Sequence, residues 1–185
     1  MDNLSIFGGS MLVTPPVLLG RQLRHFSLYH ALMLSVAGSP FIGVGDGQAA
    51  LDDLLFAVWI CCQEYDPTPA PHESPALIDE AREWGAGAGE IDLAEGCAAF
   101  TAYLNGYFAF PQFWQDGKSK PSGVPWFFRC AADVMMHYPQ LSEETVWNMP
   151  INRAAAYRAC VAEDNGRALF SDAEAAALRK LDADA

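Results

Sequence analysis

Side chains that could do chemistry are few in this chain, and they are spread along its length. The histidines are His25, His30, His72 and His137. They form no HExxH or Glu-x-x-His pair, whereas a metal site needs ligands that converge at fixed helical spacing. His30 stands near Phe26, Tyr29 and Leu34, which indicates a packing residue. The sequence therefore predicts no bound metal and no cofactor.

Nucleophilic and acid–base catalysis are not predicted either. The five cysteines (Cys61, Cys62, Cys97, Cys130 and Cys160) fall within predicted helices, mostly on apolar faces, where a thiol behaves as a small hydrophobe. We expect them in the core and reduced, because their number is odd and two of them are adjacent. Neighbouring carboxylates such as Glu143 and Glu144 diverge on a helix and suit its N-terminus. The prediction is a non-enzymatic protein. An enzyme whose acid–base pair forms only across the fold is one alternative.

The charge balance excludes some partners. The chain has 185 residues and a formal net charge of −12, and it has no Lys/Arg cluster to neutralise phosphates, so no nucleic-acid binding is predicted. The acidity fits a soluble surface, with an acidic inhibitor or nucleic-acid mimic as an alternative. The most apolar window, residues 54–62, is too short to span a bilayer, and the start MDNLSIFGG is unlike a signal peptide. These features predict no membrane association and a cytoplasmic location.

Helical patterns dominate the chain. Apolar residues make up 51% and charged residues 18%, which predicts a packed core without disulfides or metals. The predicted helices cover residues 28–37, 48–65, 75–84, 93–107, 125–138, 143–148, 150–164 and 172–181. We expect an all-α orthogonal bundle of about six to eight short helices. Residues 1–20 would form an extended N-terminal arm, and residues 21–185 a single helical domain.

Caps and breaks define most of these boundaries. Ser27 and Ser142 are expected to be N-caps, and Asp92 with Glu95 reads as a capping box. Asn165 and Gly166 are expected to close the helix that Pro150 begins. The GAGAGE stretch at residues 85–90 predicts a flexible joint between helices. The helix at residues 48–65 is apolar on most faces, so it would lie in the centre of the core or under a partner.

Large aromatic side chains offer the clearest choice between core and interface. Trp114, Trp126 and Trp147 lie close to predicted chain breaks. Buried tryptophans anchor a core, whereas exposed ones are interface hot spots. The sequence favours the core without deciding the question.

Two stretches resemble proteins encoded in the tail gene clusters of phages and prophage elements. The first covers residues 18–65 and contains LLGRQLRHFSLYHALML, SPF and DDLLFAVWICCQEY. The second covers residues 142–170 and contains VWNMPINRAAAYRACVAEDNG. It is similar to the W-x-M-P, A-x-x-Y and E-x-x-G phrases of small tail assembly chaperones.

The resemblance implies a small helical protein that binds the long, helical tape measure protein and keeps it soluble while the tail tube polymerises. It implies no cofactor and no reaction. If the chain is phage-encoded, the host cytoplasm is the expected location, and the chain could form a homo-oligomer. The alternative is a structural virion or tail-completion component. The expected motif and partner-binding residues are Trp147, Met149, Pro150, Tyr157, Glu163, Gly166, Ser39, Pro40, Phe41 and Trp59.

Overall fold

Seven helices make up most of the described chain. The computed structural model describes residues 13–42, 49–65, 75–87, 91–108, 112–113, 123–166, 169–170 and residue 180. The helices are α1 (Leu28–Val36), α2 (Leu51–Ile60), α3 (Pro75–Ala86), α4 (Leu93–Asn105), α5 (Trp126–His137), α6 (Glu143–Trp147) and α7 (Ile151–Asp164). The expectation of an all-α fold with six to eight helices is confirmed.

Three of the helix starts follow the caps that the sequence predicts. The hydroxyl of Ser27 accepts a hydrogen bond from the His30 backbone N–H, and the Ser142 hydroxyl accepts one from Thr145. The Asp92 carboxylate accepts one from Glu95. Each bond satisfies one of the backbone donors that a helix leaves unpaired in its first turn, and such a cap stabilises a helix by about 1 kcal/mol.

Helix α2 is shorter than the predicted helix at residues 48–65. It ends at Ile60, with Cys61 as its C-cap. The Cys61 carbonyl accepts a hydrogen bond from the Arg24 N–H at 2.9 Å, and the Tyr65 N–H donates to the Asn148 side chain at 2.8 Å. These partners come from distant parts of the chain, so the backbone after Ile60 leaves the helix to pair with them.

The prediction of a flexible joint that begins at Gly85 is wrong for this residue. Gly85 lies inside α3 and is buried against α2, where an added Cβ would stand 2.6 Å from the Leu55 Cδ2 atom. Gly96 of α4 has the same role, because a Cβ added there would stand 2.7 Å from the Leu54 Cδ2 atom. The missing side chains let α3 and α4 approach α2 closely, so these glycines serve packing.

One hydrophobic core connects the elements from Leu23 to Ala154. Helix α2 lies between α3, α4 and α1, while α5 packs against α1, α6 and α7. The largest fully buried side chains include Phe26, Phe100 and Tyr107. Leu51, at the first position of α2, is 42% exposed.

A short hairpin precedes the helices. Strand β1 (Val17–Leu18) pairs antiparallel with β2 (Arg21–Gln22), and both turn residues, Leu19 and Gly20, have positive φ angles. This pattern is that of a type I′ turn, in which leucine is unusual. The Leu19 side chain packs against the core. The described part of the predicted N-terminal arm, residues 13–20, thus contains the first strand and the turn of this hairpin. The division into arm and domain stays a prediction.

A second pair of short strands joins two distant parts of the chain. Strand β3 (Gln112–Phe113) pairs antiparallel with β4 (Leu169–Phe170). The proline-rich stretch after Tyr65, the glycine-rich stretch at residues 43–47 and Trp114 lie outside the described residues, as does the predicted last helix except for Lys180. Among the described helices, none is long and apolar enough to cross a membrane.

Candidate functional site

The W-x-M-P phrase begins with a tryptophan that the structure places in the core. Trp147 is almost fully buried at the end of α6. Its ring stacks on Tyr65, with centroids 6.0 Å apart, and meets the edge of Phe128 at 5.4 Å. Aromatic pairs of this geometry stabilise by about 1 kcal/mol beyond their buried area. Trp147 therefore joins α5, α6 and the segment after α2.

The rest of the phrase pairs the starts of two helices. Pro150 and Ser27, the N-caps of α7 and α1, form an antiparallel β-bridge. The Leu28 N–H donates to the Met149 carbonyl at 3.2 Å, and the Ile151 N–H donates to the Phe26 carbonyl at 2.9 Å. The phrase thus holds the first turns of α1 and α7 side by side.

Helix α6 ends shortly before Pro150. The residue before a proline disfavours the helical conformation, so the helix cannot continue through Met149. The helix stops at Trp147 with Asn148 as C-cap, and Met149 separates this cap from Pro150. Met149 is buried, like Trp147, so neither side chain offers a surface to a partner in this conformation. Their structural role is clear, while a role in partner binding stays a prediction.

The later part of the motif lies along α7. The Tyr157 ring is half-buried, 5.0 Å from the Tyr138 ring, and the Arg153 guanidinium lies over it at 5.6 Å. Glu163 is exposed near the end of the helix. Gly166 has φ +77° and terminates the helix as predicted, because this conformation strains residues with a Cβ.

The SPF phrase and Trp59 are distant from that motif in the fold. Ser39 and Pro40 follow the end of α1, and the Phe41 ring packs edge-on against Phe100 at 4.8 Å. The buried Ser39 hydroxyl has no hydrogen-bond partner among the described residues. Trp59 is half-buried beside Phe56 on α2. The structure therefore does not gather the predicted site residues into one place.

A polar cleft opens beside the paired starts of α1 and α7. Its volume is about 680 Å³. Its walls come from the hairpin, the segment after α2, α6 and the first turn of α7, which are far apart in sequence. The lining groups with ionisable or amide side chains are Gln22, Arg24, His25, His30, Gln63, Glu64, Glu144, Asn148, Asn152 and Arg153.

His30 is fully buried at the wall of this cleft. Its Nδ1 accepts a hydrogen bond from the Ser27 N–H at 3.1 Å, so the proton must be on Nε2, which donates to the Gln63 carbonyl at 3.0 Å. Burial lowers the pKa of His30 to about 4, because the charged ring would lose its hydration. Both nitrogens are occupied by backbone groups, which confirms the expected packing role.

Two further side-chain contacts lie in the cleft. The Arg24 guanidinium pairs with the Glu64 carboxylate at 2.5 Å, and His25 Nδ1 lies 2.9 Å from the Tyr107 hydroxyl. Burial raises the pKa of Tyr107 to about 12. Ionised groups of both signs line the cleft, so it suits a polar ligand without selecting an anion or a cation.

The cysteines divide into buried and accessible groups. Cys61 and Cys130 are buried, and burial raises the pKa of the Cys130 thiol to about 11. Cys62 and Cys97 are half-buried, and Cys160 is exposed on α7. The expectation that all five occupy the core is wrong for Cys160, because the inward side of α7 is formed by its alanines and Ile151.

Comparison with known protein families, curated proteins and solved structures finds no match to this chain. The resemblance to tail assembly chaperones therefore stays a prediction. Within the described residues, no group of three His, Cys, Asp or Glu side chains could hold a metal ion.

The surface that the sequence analysis missed is the outward side of α5. Phe128 is 42% exposed and Met136 is 72% exposed, with the exposed Ala132 midway between them. The opposite side of α5, which includes Phe127 and Val134, lies in the core. Phe128, Ala132 and Met136 are spaced by four residues, so a helical projection of α5 could have revealed this second apolar stripe.

Trp126 lies at the start of the same helix. It is 40% exposed, so the expected preference of tryptophans for the core holds for Trp147 and fails here. A recess of about 450 Å³ beside it is lined by Arg129 and Arg158. The Arg158 Nε donates to the Asp133 carboxylate at 2.7 Å. This end of α5 is thus apolar and positively charged, in an otherwise acidic protein.

Proposed function

We propose that the protein is a non-enzymatic assembly protein that binds a helical segment of another protein, in the manner of the tail assembly chaperones that it resembles. The tape measure protein is the proposed partner, and the cytoplasm, or the host cytoplasm for a phage protein, is the proposed compartment. The observation that carries the proposal is the exposed apolar stripe of α5, defined by Phe128, Ala132 and Met136.

The stripe has the form that helix recognition requires. Amphipathic helices dock through apolar residues spaced by three or four positions against an apolar groove or helix face. Phe128 is held in place by its edge contact with Trp147, and Met136 supplies an adaptable apolar side chain at the other end. The W-x-M-P phrase supports this surface indirectly, because Trp147 positions both α6 and Phe128.

The charge of the protein also fits a solubilising role. A bound tape measure segment would hide its apolar face on α5, while the net charge of −12 would keep the complex dispersed. The tape measure protein is long and apolar before the tail forms, so it needs such a cover.

Co-expression tests the proposal. The chain would be produced with the long helical protein encoded in the same tail gene cluster, and the soluble fraction of that protein would be measured. We expect the wild-type chain to raise this fraction and to co-purify with the long protein. Met136→Glu places a charge on the stripe and should abolish both effects.

Val17→Glu is the matched control, because Val17 is 64% exposed but lies on β1, away from α5. It should behave like the wild type. Equal loss in both variants, or no gain in solubility from the wild-type chain, would contradict the proposal. Retention of the chain in purified tails would favour the alternative, a structural tail component.

A further inference from the structure

The apolar stripe of α5 is symmetric about its middle residue. Ala132 lies four residues after Phe128 and four residues before Met136, so a large apolar side chain stands about 6 Å along the helix on each side of a small one. An antiparallel copy of α5 that crosses at Ala132 would set each Phe128 against Met136 of the second copy. The small side chain at the crossing allows the two helices to approach closely.

The charges of α5 are compatible with the same pairing. A twofold axis in the interface sets each edge of the helix against the same edge of its copy. Arg129 and Asp133 are one turn apart on the edge that faces α7, where Asp133 also binds Arg158. In the antiparallel pair, Arg129 and Asp133 of the second copy would be offset by only about 3 Å along the axis. Opposite charges of the two copies would therefore lie on the same side of the interface and close together along its axis.

The local charge also removes the main obstacle to self-association. The whole chain has 23 acidic and 11 basic residues, so most of its surfaces repel a second copy. Helix α5 contains one acidic residue, Asp133, and that carboxylate is already bound by Arg158. The exposed Arg129 makes this face locally neutral or positive. Within α5 itself, therefore, no unpaired acidic side chain opposes the approach of a second copy.

We infer that the protein forms a twofold homodimer through antiparallel α5 helices that cross at Ala132. The dimer closes the apolar stripe when no partner is bound, and a helical partner would compete for the same face. Since one twelve-residue helix buries less than the roughly 1,200 Å² of a standard interface, the dimer is weak and dissociates on dilution.

In this dimer, residue 132 of one copy would lie beside residue 132 of the other. A cysteine at this position could therefore form a disulfide between the two copies. Ala132→Cys in a Cys160→Ser background should form a disulfide-linked dimer under mild oxidation. The control is Ala98→Cys, at an exposed alanine of α4, in the same background. We expect the Ala132→Cys protein to cross-link at least about tenfold faster, and equal rates for the two would overturn the inference.

Sedimentation equilibrium of the protein alone supplies a second readout. We expect Met136→Glu to weaken the self-association of the wild-type protein by about tenfold or more, since each copy would bury an unpaired carboxylate. Val17→Glu should dissociate like the wild type. A wild-type protein that stays monomeric at the highest attainable concentration would refute the dimer. The dimer goes beyond the proposed function. Its tests use the protein alone, whereas the test of the proposed function requires the partner. One can therefore fail while the other holds.

Discussion

The buried His30 ring allows a quantitative prediction about acid stability. In the folded protein the ring is neutral, because Nδ1 accepts from the Ser27 N–H and burial lowers its pKa to about 4. In the unfolded chain the imidazole has its ordinary pKa of 6.5. Above pH 6.5 the ring is neutral in both states, and the stability that it contributes is fully present. Between pH 6.5 and about 4 only the unfolded chain takes up the proton, so stability falls as the pH falls.

The size of this effect follows from the difference between the two pKa values. A pKa that is 6.5 in the unfolded state and about 4 in the folded state corresponds to about 3 kcal/mol of unfolding free energy. A loss of this size is a large part of the 5–15 kcal/mol that stabilises a typical domain. Below about pH 4 the folded ring also gains a proton, and this contribution stops changing.

Urea denaturation at several pH values would measure the loss. Carboxylates also titrate in this range, so the quantity of interest is the difference between the wild type and His30→Leu, which has no proton to gain. We expect the wild type to lose about 3 kcal/mol more than the variant between pH 6.5 and about 4. NMR titration of the imidazole resonances should find one ring neutral down to about pH 4. A His30 resonance that titrates near 6.5 would refute the reasoning.

Further predictions concern packing and thiol access. Gly96→Ala should destabilise the protein by about 1–3 kcal/mol in urea denaturation, because the new Cβ would press on buried Leu54 and outweigh the helix propensity of alanine; a neutral or stabilising result would contradict this contact. Trp147→Ala should cost about 3–5 kcal/mol in the same assay, and a cost below about 1 would contradict its anchoring role. Cys160 should react with a thiol reagent in the native protein, and Cys61 only after unfolding, since burial raises the pKa of its thiol; equal rates would contradict their placement.

Helix starts could be predicted because their signals are local. A serine or aspartate at the N-cap needs only the backbone three residues on, as at Ser27, Asp92 and Ser142. Helix ends that depend on distant partners could not be predicted. The backbone after Ile60 pairs with groups near Arg24 and Asn148, which no local pattern reveals.

Glycines show the same limit. Gly85 has the local signature of a joint, but its contact with Leu55 of α2 makes it a close-packing position. Gly166, in contrast, was predicted correctly because a helix terminus with positive φ is a local requirement. The difference lies in whether the residue's role depends on its own backbone or on a neighbouring helix.

The candidate surfaces divide in the same way. The stripe of Phe128, Ala132 and Met136 is encoded at helical spacing within one helix, and its exposure follows once the opposite side is assigned to the core. The polar cleft is different, since the groups around His30 and Asn148 come from segments more than a hundred residues apart. Only the tertiary structure brings them together.

Site-specific photo-cross-linking can show whether α5 contacts the partner. A benzophenone amino acid would replace Met136 of α5 or, as the control, Val17 of β1, and each protein would be co-expressed with the proposed partner, a tape measure protein. We expect a cross-link to that protein from position 136 and none from position 17. A complex that forms but cross-links only from position 17, or equally from both positions, would contradict the assignment of α5 as the partner surface.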